Sequence, residues 1–303
     1  CDGSSGVPTN LCVLASTCTF DDGTHVGVGD TCNSLTLLES MSSAGQGTDA
    51  RLARANLGCL KKATSCDDIF SCLKASEDEA SVCADADGDQ RCSGDVLVEG
   101  EDAPDTIPDA FDCKAAGLVC GELDGDAACG LAACDPDTDA PYCDGDLLVE
   151  CDDAGVLVSR DCGFYLGLSC TLESCQTRAG GVCGTDPQGI IACVGDGDAC
   201  DRDTFENRCD GTVMITCNRG GESRLDCKAL HPDLTCRIDT DNGMVECQPA
   251  KNECRIDGDD GCREGVITTC MMGEITEVDC TRYGHTGCAT TREGTRTVAY
   301  CVP

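Results

Sequence analysis

Cysteine carries most of the chemistry within reach of this chain: 32 of its 303 residues are Cys, in spacings that recur as C-x7/8-C-x7-C-x9/10-C. Thiols at such density either hold metal or pair with one another. Zinc and iron–sulfur sites need two thiolates on one tight knuckle, which a C-x2-C spacing supplies. No two cysteines here are separated by only two residues, and no C-x-x-C-H haem signature occurs. An even count without knuckles predicts a disulfide scaffold, and disulfides persist in oxidising compartments. The protein is therefore expected outside the cytosol, extracellular or at a cell surface.

The second group is acidic. Asp85, Asp87 and Asp89 alternate within the loop CADADGDQRC, as hard oxygen ligands do in calcium loops, and they are the candidate metal ligands with Ca2+ the cofactor implied. The full EF-hand pattern fails, because Gln90 stands at the turn-glycine place and no Glu closes the loop. The corresponding loops CDPDTDAPYC, CDRDTFENRC and CRIDGDDGC share the acidity but not the ligand order, so a solvated Asp-rich turn is the competing reading.

Three histidines, His25, His231 and His285, fall in separate parts of the chain, and no H-E-x-x-H, G-x-S-x-G or phosphate-loop motif is present. With no Trp, five Phe and four Tyr, there is little material for the apolar concavity that an active site needs. The chain is expected not to be an enzyme, and no catalytic residue is assigned.

Short elements must position these groups. Alignment on the C-x7-C hairpins gives the runs Cys134–Cys175, Cys200–Cys247 and Cys254–Cys301, each of six cysteines. A degenerate copy holds Cys83, Cys92, Cys113, Cys120 and Cys129, with Gly100 where the third cysteine belongs and an acidic insertion from Glu101 to Asp112. The text repeats with the spacing: CDGDLLVEC, CDGTVMITC and CREGVITTC, followed by segments ending SRDC, RLDC and EVDC. Fixed-period self-similarity of this kind marks a tandem array.

β-prone runs such as Leu147-Leu148-Val149 and Val156-Leu157-Val158, with turn residues between them, predict a hairpin in each unit. Taken as two strands, the hairpin puts the second and fourth cysteines together at its base. That gives the bridges Cys143–Cys162, Cys209–Cys227 and Cys262–Cys280, out of 15 connectivities that six cysteines allow. Residues 178–199 read as an extra loop with its own small hairpin, from Cys183 to Cys193. The first 80 residues differ in kind. Residues 34–42 and 49–75 are poor in Gly and rich in Ala, Leu and Lys, and Ala53, Leu57 and Leu60 recur at the helical period.

The expected fold class is thus small and disulfide-rich, mainly β: tandem β-hairpin repeats with an N-terminal α-rich cap, elongated overall. The expected divisions are the cap (1–80), repeat 1 (81–133), repeat 2 (134–177), the extra loop (178–199), repeat 3 (200–249) and repeat 4 (250–303). Cap and first repeat hold seven and five cysteines, both odd, so a bridge between them is one outcome and a free thiol in each the other.

The repeat text, from CDGDLLVEC to SRDCGFYLGLSC and its copies, resembles that of the Cys-rich tandem-repeat proteins and lipoproteins exported by myxobacteria and related bacteria, over about residues 83–301. The resemblance implies export and a beaded architecture, and it assigns no residue a role. Cys1 is the candidate lipidation site, since bacterial lipoproteins begin with the modified cysteine after processing. With no signal peptide in a chain that must be exported, the sequence reads as a mature form.

Net charge is −35, and 26 of the 56 acidic residues lie in residues 77–175 against three basic ones. Such a field repels nucleic acid and attracts cations or basic partners. No run is apolar enough for a transmembrane helix. Two functions follow as expectations, the first leading and the second its alternative. One is a structural subunit that self-associates into a homopolymer, as a filament, sheath or surface layer. The other is a surface-anchored binding protein whose acidic stretch engages a basic partner or cations.

Overall fold

Helix formers concentrate near the N-terminus, and the helices lie there: α1 (Thr9–Ser16), α2 (Val28–Ala44), α3 (Gly47–Leu60) and α4 (Cys66–Leu73). The computed structural model describes residues 9–19, 25–73, 90–99, 109–163, 181–238, 245–255 and 258–303. Local chemistry sets the helix ends. Asp68 accepts from Thr64 N at 2.8 Å and Ser65 N at 3.1 Å, while Ser65 Oγ accepts from Asp68 N at 3.2 Å, a reciprocal cap for α4. Bridges Cys12–Cys32, Cys18–Cys66 and Cys59–Cys72 tie the four helices to one another.

The rest is β-structure in four units of one plan. Unit 1 comprises β1 (Gln90–Ser93), β2 (Val96–Glu99), β3 (Asp109–Asp112), β4 (Val119–Leu123) and β5 (Asp126–Gly130). Unit 2 comprises β6 (Tyr142–Asp144), β7 (Leu147–Cys151), β8 (Leu157–Asp161), β9 (Val182–Thr185) and β10 (Ile191–Val194). Unit 3 has β11 (Arg208–Asp210), β12 (Val213–Asn218), β13 (Gly221–Asp226), a one-turn helix α5 (Cys227–Leu230), β14 (Leu234–Ile238) and β15 (Val245–Pro249). Unit 4 has β16 (Gly261–Arg263), β17 (Val266–Met271), β18 (Glu274–Asp279), β19 (Gly287–Glu293) and β20 (Arg296–Val302).

In each unit the first three strands form an antiparallel sheet in chain order and the last two a separate hairpin. The register repeats: Cys92, Cys143, Cys209 and Cys262 face Leu97, Leu148, Met214 and Ile267. Two-residue turns fix it, with Gly94, Gly145 and Gly211 at φ of +63°, +61° and +63°, the left-handed position that primed hairpin turns require.

The fold class is as expected in kind, a disulfide-rich, mainly β array of hairpins with helices at its N-terminal end. The elongated arrangement with a terminal cap is not what the contacts show. The helices touch every unit: α3 and α4 meet β3, α3 meets β8, α2 meets α5, and α1 and α2 meet β20. The largest core joins Leu11, Val13, Leu35, Leu57 and Ile69 of the helices to Ile267, Val278 and Ala299 of unit 4. Asn33 on α2 staples the same contact, its Nδ2 donating to Cys270 O at 3.1 Å and its Oδ1 accepting from Met272 N at 3.0 Å. At Gly47 (φ +87°) a Cβ would stand 2.4 Å from Ser159 O, so only glycine lets α3 begin against β8. The physical reason is material. Units 1 and 4 complete their cores with helix side chains, Leu52 in the first and Leu11, Leu35 and Leu57 in the other, which neighbour-to-neighbour stacking would not supply.

Candidate functional site

Among the described residues fourteen disulfides join 28 cysteines, and in units 2 to 4 they follow one rule. The first cysteine bonds the third: Cys134–Cys151, Cys200–Cys217 and Cys254–Cys270. The second bonds the fifth: Cys143–Cys183, Cys209–Cys236 and Cys262–Cys288. The fourth bonds the sixth: Cys162–Cys193, Cys227–Cys247 and Cys280–Cys301. Unit 1 keeps the last two as Cys92–Cys120 and Cys113–Cys129.

The expected bridges Cys143–Cys162, Cys209–Cys227 and Cys262–Cys280 are therefore corrected. Strand β7 pairs on both sides, with β6 and with β8, so Cys143 and Cys162 belong to opposite edges of a three-stranded sheet. Two strand spacings are roughly 9–10 Å, beyond the roughly 7 Å that a disulfide spans. Units 3 and 4 repeat the arrangement.

The loop 178–199 is corrected as well. Its hairpin β9–β10 is the second hairpin of unit 2, bonded twice to the sheet, and the fifth and sixth cysteines of that unit are Cys183 and Cys193 rather than Cys170 and Cys175. In all four second hairpins the two cysteines face each other directly, as Cys120 and Cys129, Cys183 and Cys193, Cys236 and Cys247, and Cys288 and Cys301, yet each bonds the sheet and not its opposite number. The hairpin is clamped to the sheet at two points.

The recurrent Asp-Cys has a structural use. Asp112, Asp161, Asp226 and Asp279 each precede the fourth cysteine, and their carboxylates accept from Ala115 N, Gly163 N, Lys228 N and Thr281 N at 2.8 to 3.1 Å. Hydrogen bonds from the Thr212 hydroxyl and the Lys228 amide hold the Asp226 carboxyl below the ordinary range. The Thr281 hydroxyl and then its amide do the same for Asp279.

The acidic loops divide. Asp85, Asp87 and Asp89 lie outside the described residues, as do Cys1, Cys83, Cys170 and Cys175. In unit 2 Asp135 Oδ1 accepts from Asp137 N at 3.0 Å and Asp139 Oδ2 accepts from Asp135 N at 2.9 Å. In unit 3 Asp201 Oδ1 accepts from Asp203 N at 3.0 Å. In unit 4 Asp259 and Asp260 accept from Thr297 N and Ala299 N, fastening their loop to β20. These carboxylates close turns or dock loops, and among the described residues no group of three or more His, Cys, Asp or Glu could hold a metal ion.

The histidines stay apart in role. His25 stacks on Tyr300 at 3.8 Å between ring centres. His231 is buried where α2 meets unit 3, and burial lowers its pKa against the opposing pull of Asp233 and Glu39. His285 donates its backbone N–H to Cys280 O at 3.2 Å. Burial also raises the carboxyl of Asp49, which Arg160 opposes, at the contact of α3 with unit 2. A cleft of about 540 Å³ opens among α3, α4 and Ala115, walled in part by Arg54, Lys62, Asp68 and Ser71. Asp68 is committed to its cap, and Arg54 donates to the carbonyls of Ser42 and Gly45.

Charge is the feature of units 1 and 2 that structure leaves unspent. Their described basic side chains are each met by a carboxylate: Arg91 by Glu122 at 3.9 Å, Lys114 by Asp95 at 3.0 Å and Arg160 by Glu150 at 2.9 Å. Asp124, Asp126, Asp137, Asp144, Asp146 and Asp153 are exposed on turns or at the strand ends beside them and have no ion pair among the described residues. Sequence reasoning found this acidic stretch and missed the bracing that holds it. No helix of the described residues is long and apolar enough to cross a membrane. No family model, no curated protein and no solved structure matches the chain.

Proposed function

We propose that this is an exported, disulfide-stapled scaffold that presents an acidic surface on units 1 and 2 to a cationic partner. The observation that carries the reading is the imbalance there: every described basic side chain is already neutralised, while six exposed aspartates on turns and adjoining strand ends of the cross-linked units are not. Fixed carboxylates on a rigid frame attract a cationic partner without an ordering cost at encounter, and raise its association rate. The likeness to exported Cys-rich repeat proteins of myxobacteria supports the compartment. The role is binding rather than catalysis.

A filament or sheath subunit has less behind it. The repeated plan of the units accommodates it, but no feature of the described residues marks a contact between copies. The charge of −35 on each copy also opposes self-association.

The test is titration with a short polylysine peptide at low and physiological salt, on the wild type and on Asp124→Lys/Asp126→Lys. Affinity should fall about tenfold or more as salt shortens the screening length, and should fall again in the variant. Absence of binding, or binding indifferent to salt and to the variant, contradicts the reading.

A further inference from the structure

Units 2 and 3 hide a strand edge that unit 4 leaves bare. Opposite the third cysteine of each unit stand Leu157, Glu222 and Ile275. In unit 2 the outer side of that residue is taken by an extended segment from the unit before: Leu157 N donates to Ala132 O at 2.8 Å and Leu131 N donates to Leu157 O at 2.7 Å. Unit 3 does the same, with Glu222 N donating to Asp198 O at 2.8 Å and Gly197 N to Glu222 O at 2.9 Å. In unit 2 the cover continues, since Ser159 N donates to Thr48 Oγ1 of α3 at 2.9 Å.

Unit 4 begins alike, Glu253 N donating to Gly273 O at 2.9 Å, and then departs. Pro249 has no N–H to give, and Ala250 donates its own to Asp233 O at 2.7 Å. Ile275 has no outer partner among the described residues. Met271 and Glu274 close the two-residue turn as a hydrogen-bonded pair, so Ile275 and Glu277 direct their N–H and C=O away from β17. Ile275 is 53% exposed, and Glu277 is exposed with no ion pair among the described residues.

We propose that the outer edge of β18 takes up an extended, Lys- or Arg-bearing segment of a partner protein as an added strand. The chain already completes this edge with extended segments in two of its own units, so the geometry is one the fold accepts. Glu274 is taken by Lys251 and Asp279 by Arg282 and its cap, so Glu277, exposed on β18 with no ion pair among the described residues, is the carboxylate that favours a basic strand. An incoming strand would set an apolar residue beside Ile275 and a basic one beside Glu277, two positions apart. A second copy of this chain fits poorly: it carries −35, and its segments that play this part internally are engaged. The proposal rests on the reading of the protein as a binder of cationic partners.

The probe is the heptapeptide Thr-Lys-Thr-Val-Thr-Lys-Thr, measured by titration calorimetry against the full chain. Its partner in the experiment is the same peptide with alternate backbone nitrogens methylated, which keeps the charge and removes the strand donors. Methylation should cut affinity tenfold or more. Ile275→Pro, which removes an outward N–H together with the apolar side chain beside it, should do the same, and Glu277→Lys should weaken binding and its salt dependence. Equal binding of both peptides by the wild type overturns the added strand while leaving the cationic reading intact. No binding of this heptapeptide alongside salt-sensitive binding of polylysine overturns the strand alone, whereas no binding of either removes both. The methylated peptide needs no variant, so a folding failure in Ile275→Pro does not spare the proposal.

Discussion

Units 3 and 4 have the same cysteine rule, the same sheet order and the same capping aspartate, yet they bury their apolar residues against different things. Unit 3 closes a core of its own: Met214, Leu225, Leu230, Leu234 and Val245 pack together, with no residue of α1 to α4 in the cluster. In unit 4 the equivalents of Met214 and Leu225, Ile267 and Val278, join Leu11, Leu35 and Leu57 of the helices in one core. Cysteines and turns therefore decide the shape of a unit, while its apolar side chains decide what it docks on. Small modules with thin cores rest on cross-links worth roughly 2–4 kcal/mol each, and that leaves their apolar faces available for docking.

The sharpest way to break this comparison is a matched pair of cavities. Met214→Ala and Ile267→Ala remove equivalent buried side chains, and each should cost about 2–5 kcal/mol in denaturant unfolding. The difference lies in reach. Ile267→Ala should raise amide exchange in α1 and α2, whereas Met214→Ala should raise it within unit 3 alone. Equal spread from both sites would mean that unit 3 has no independent core.

A smaller effect tests what the two units share. Asp226→Ala and Asp279→Ala remove the same cap and should lower Tm by similar amounts, a few degrees each. Both carboxyls sit below their unfolded pKa, so their contribution is present above about pH 4 and is lost as pH falls through the folded value. Wild type and variants should converge in acid. A gap that persists at low pH would assign the loss to packing.

Much of the plan could be read from the residues, because turns and caps are local. CDGDL, CDGTV and CREGV mark the first turn, and SRDC, RLDC and EVDC mark the cap, with no need of distant partners. The disulfide pairs were misread because a run such as LLVEC gives no sign that both of its edges are paired, and a two-strand hairpin puts Cys143 beside Cys162. Cys170 and Cys175, which come next in the chain after Cys162, also hid Cys183 and Cys193 as the true fifth and sixth positions. The central place of the helices was illegible for another reason. Contacts such as Asn33 with Cys270, or Leu52 with Leu97 and Leu118, are set by shape complementarity between distant segments, and no short spacing encodes that. The exposed aspartates of units 1 and 2 were visible as composition, and the ion pairs that neutralise Arg91, Lys114 and Arg160 were not.

The account stands on a single connectivity repeated along the chain, and peptide mapping without reduction reads it directly. Digestion of the native protein should yield Cys143 joined to Cys183, Cys162 to Cys193, Cys209 to Cys236, Cys227 to Cys247, Cys262 to Cys288 and Cys280 to Cys301. Recovery of Cys143 with Cys162, or of Cys183 with Cys193, would contradict the three-stranded sheet and the clamped hairpin together.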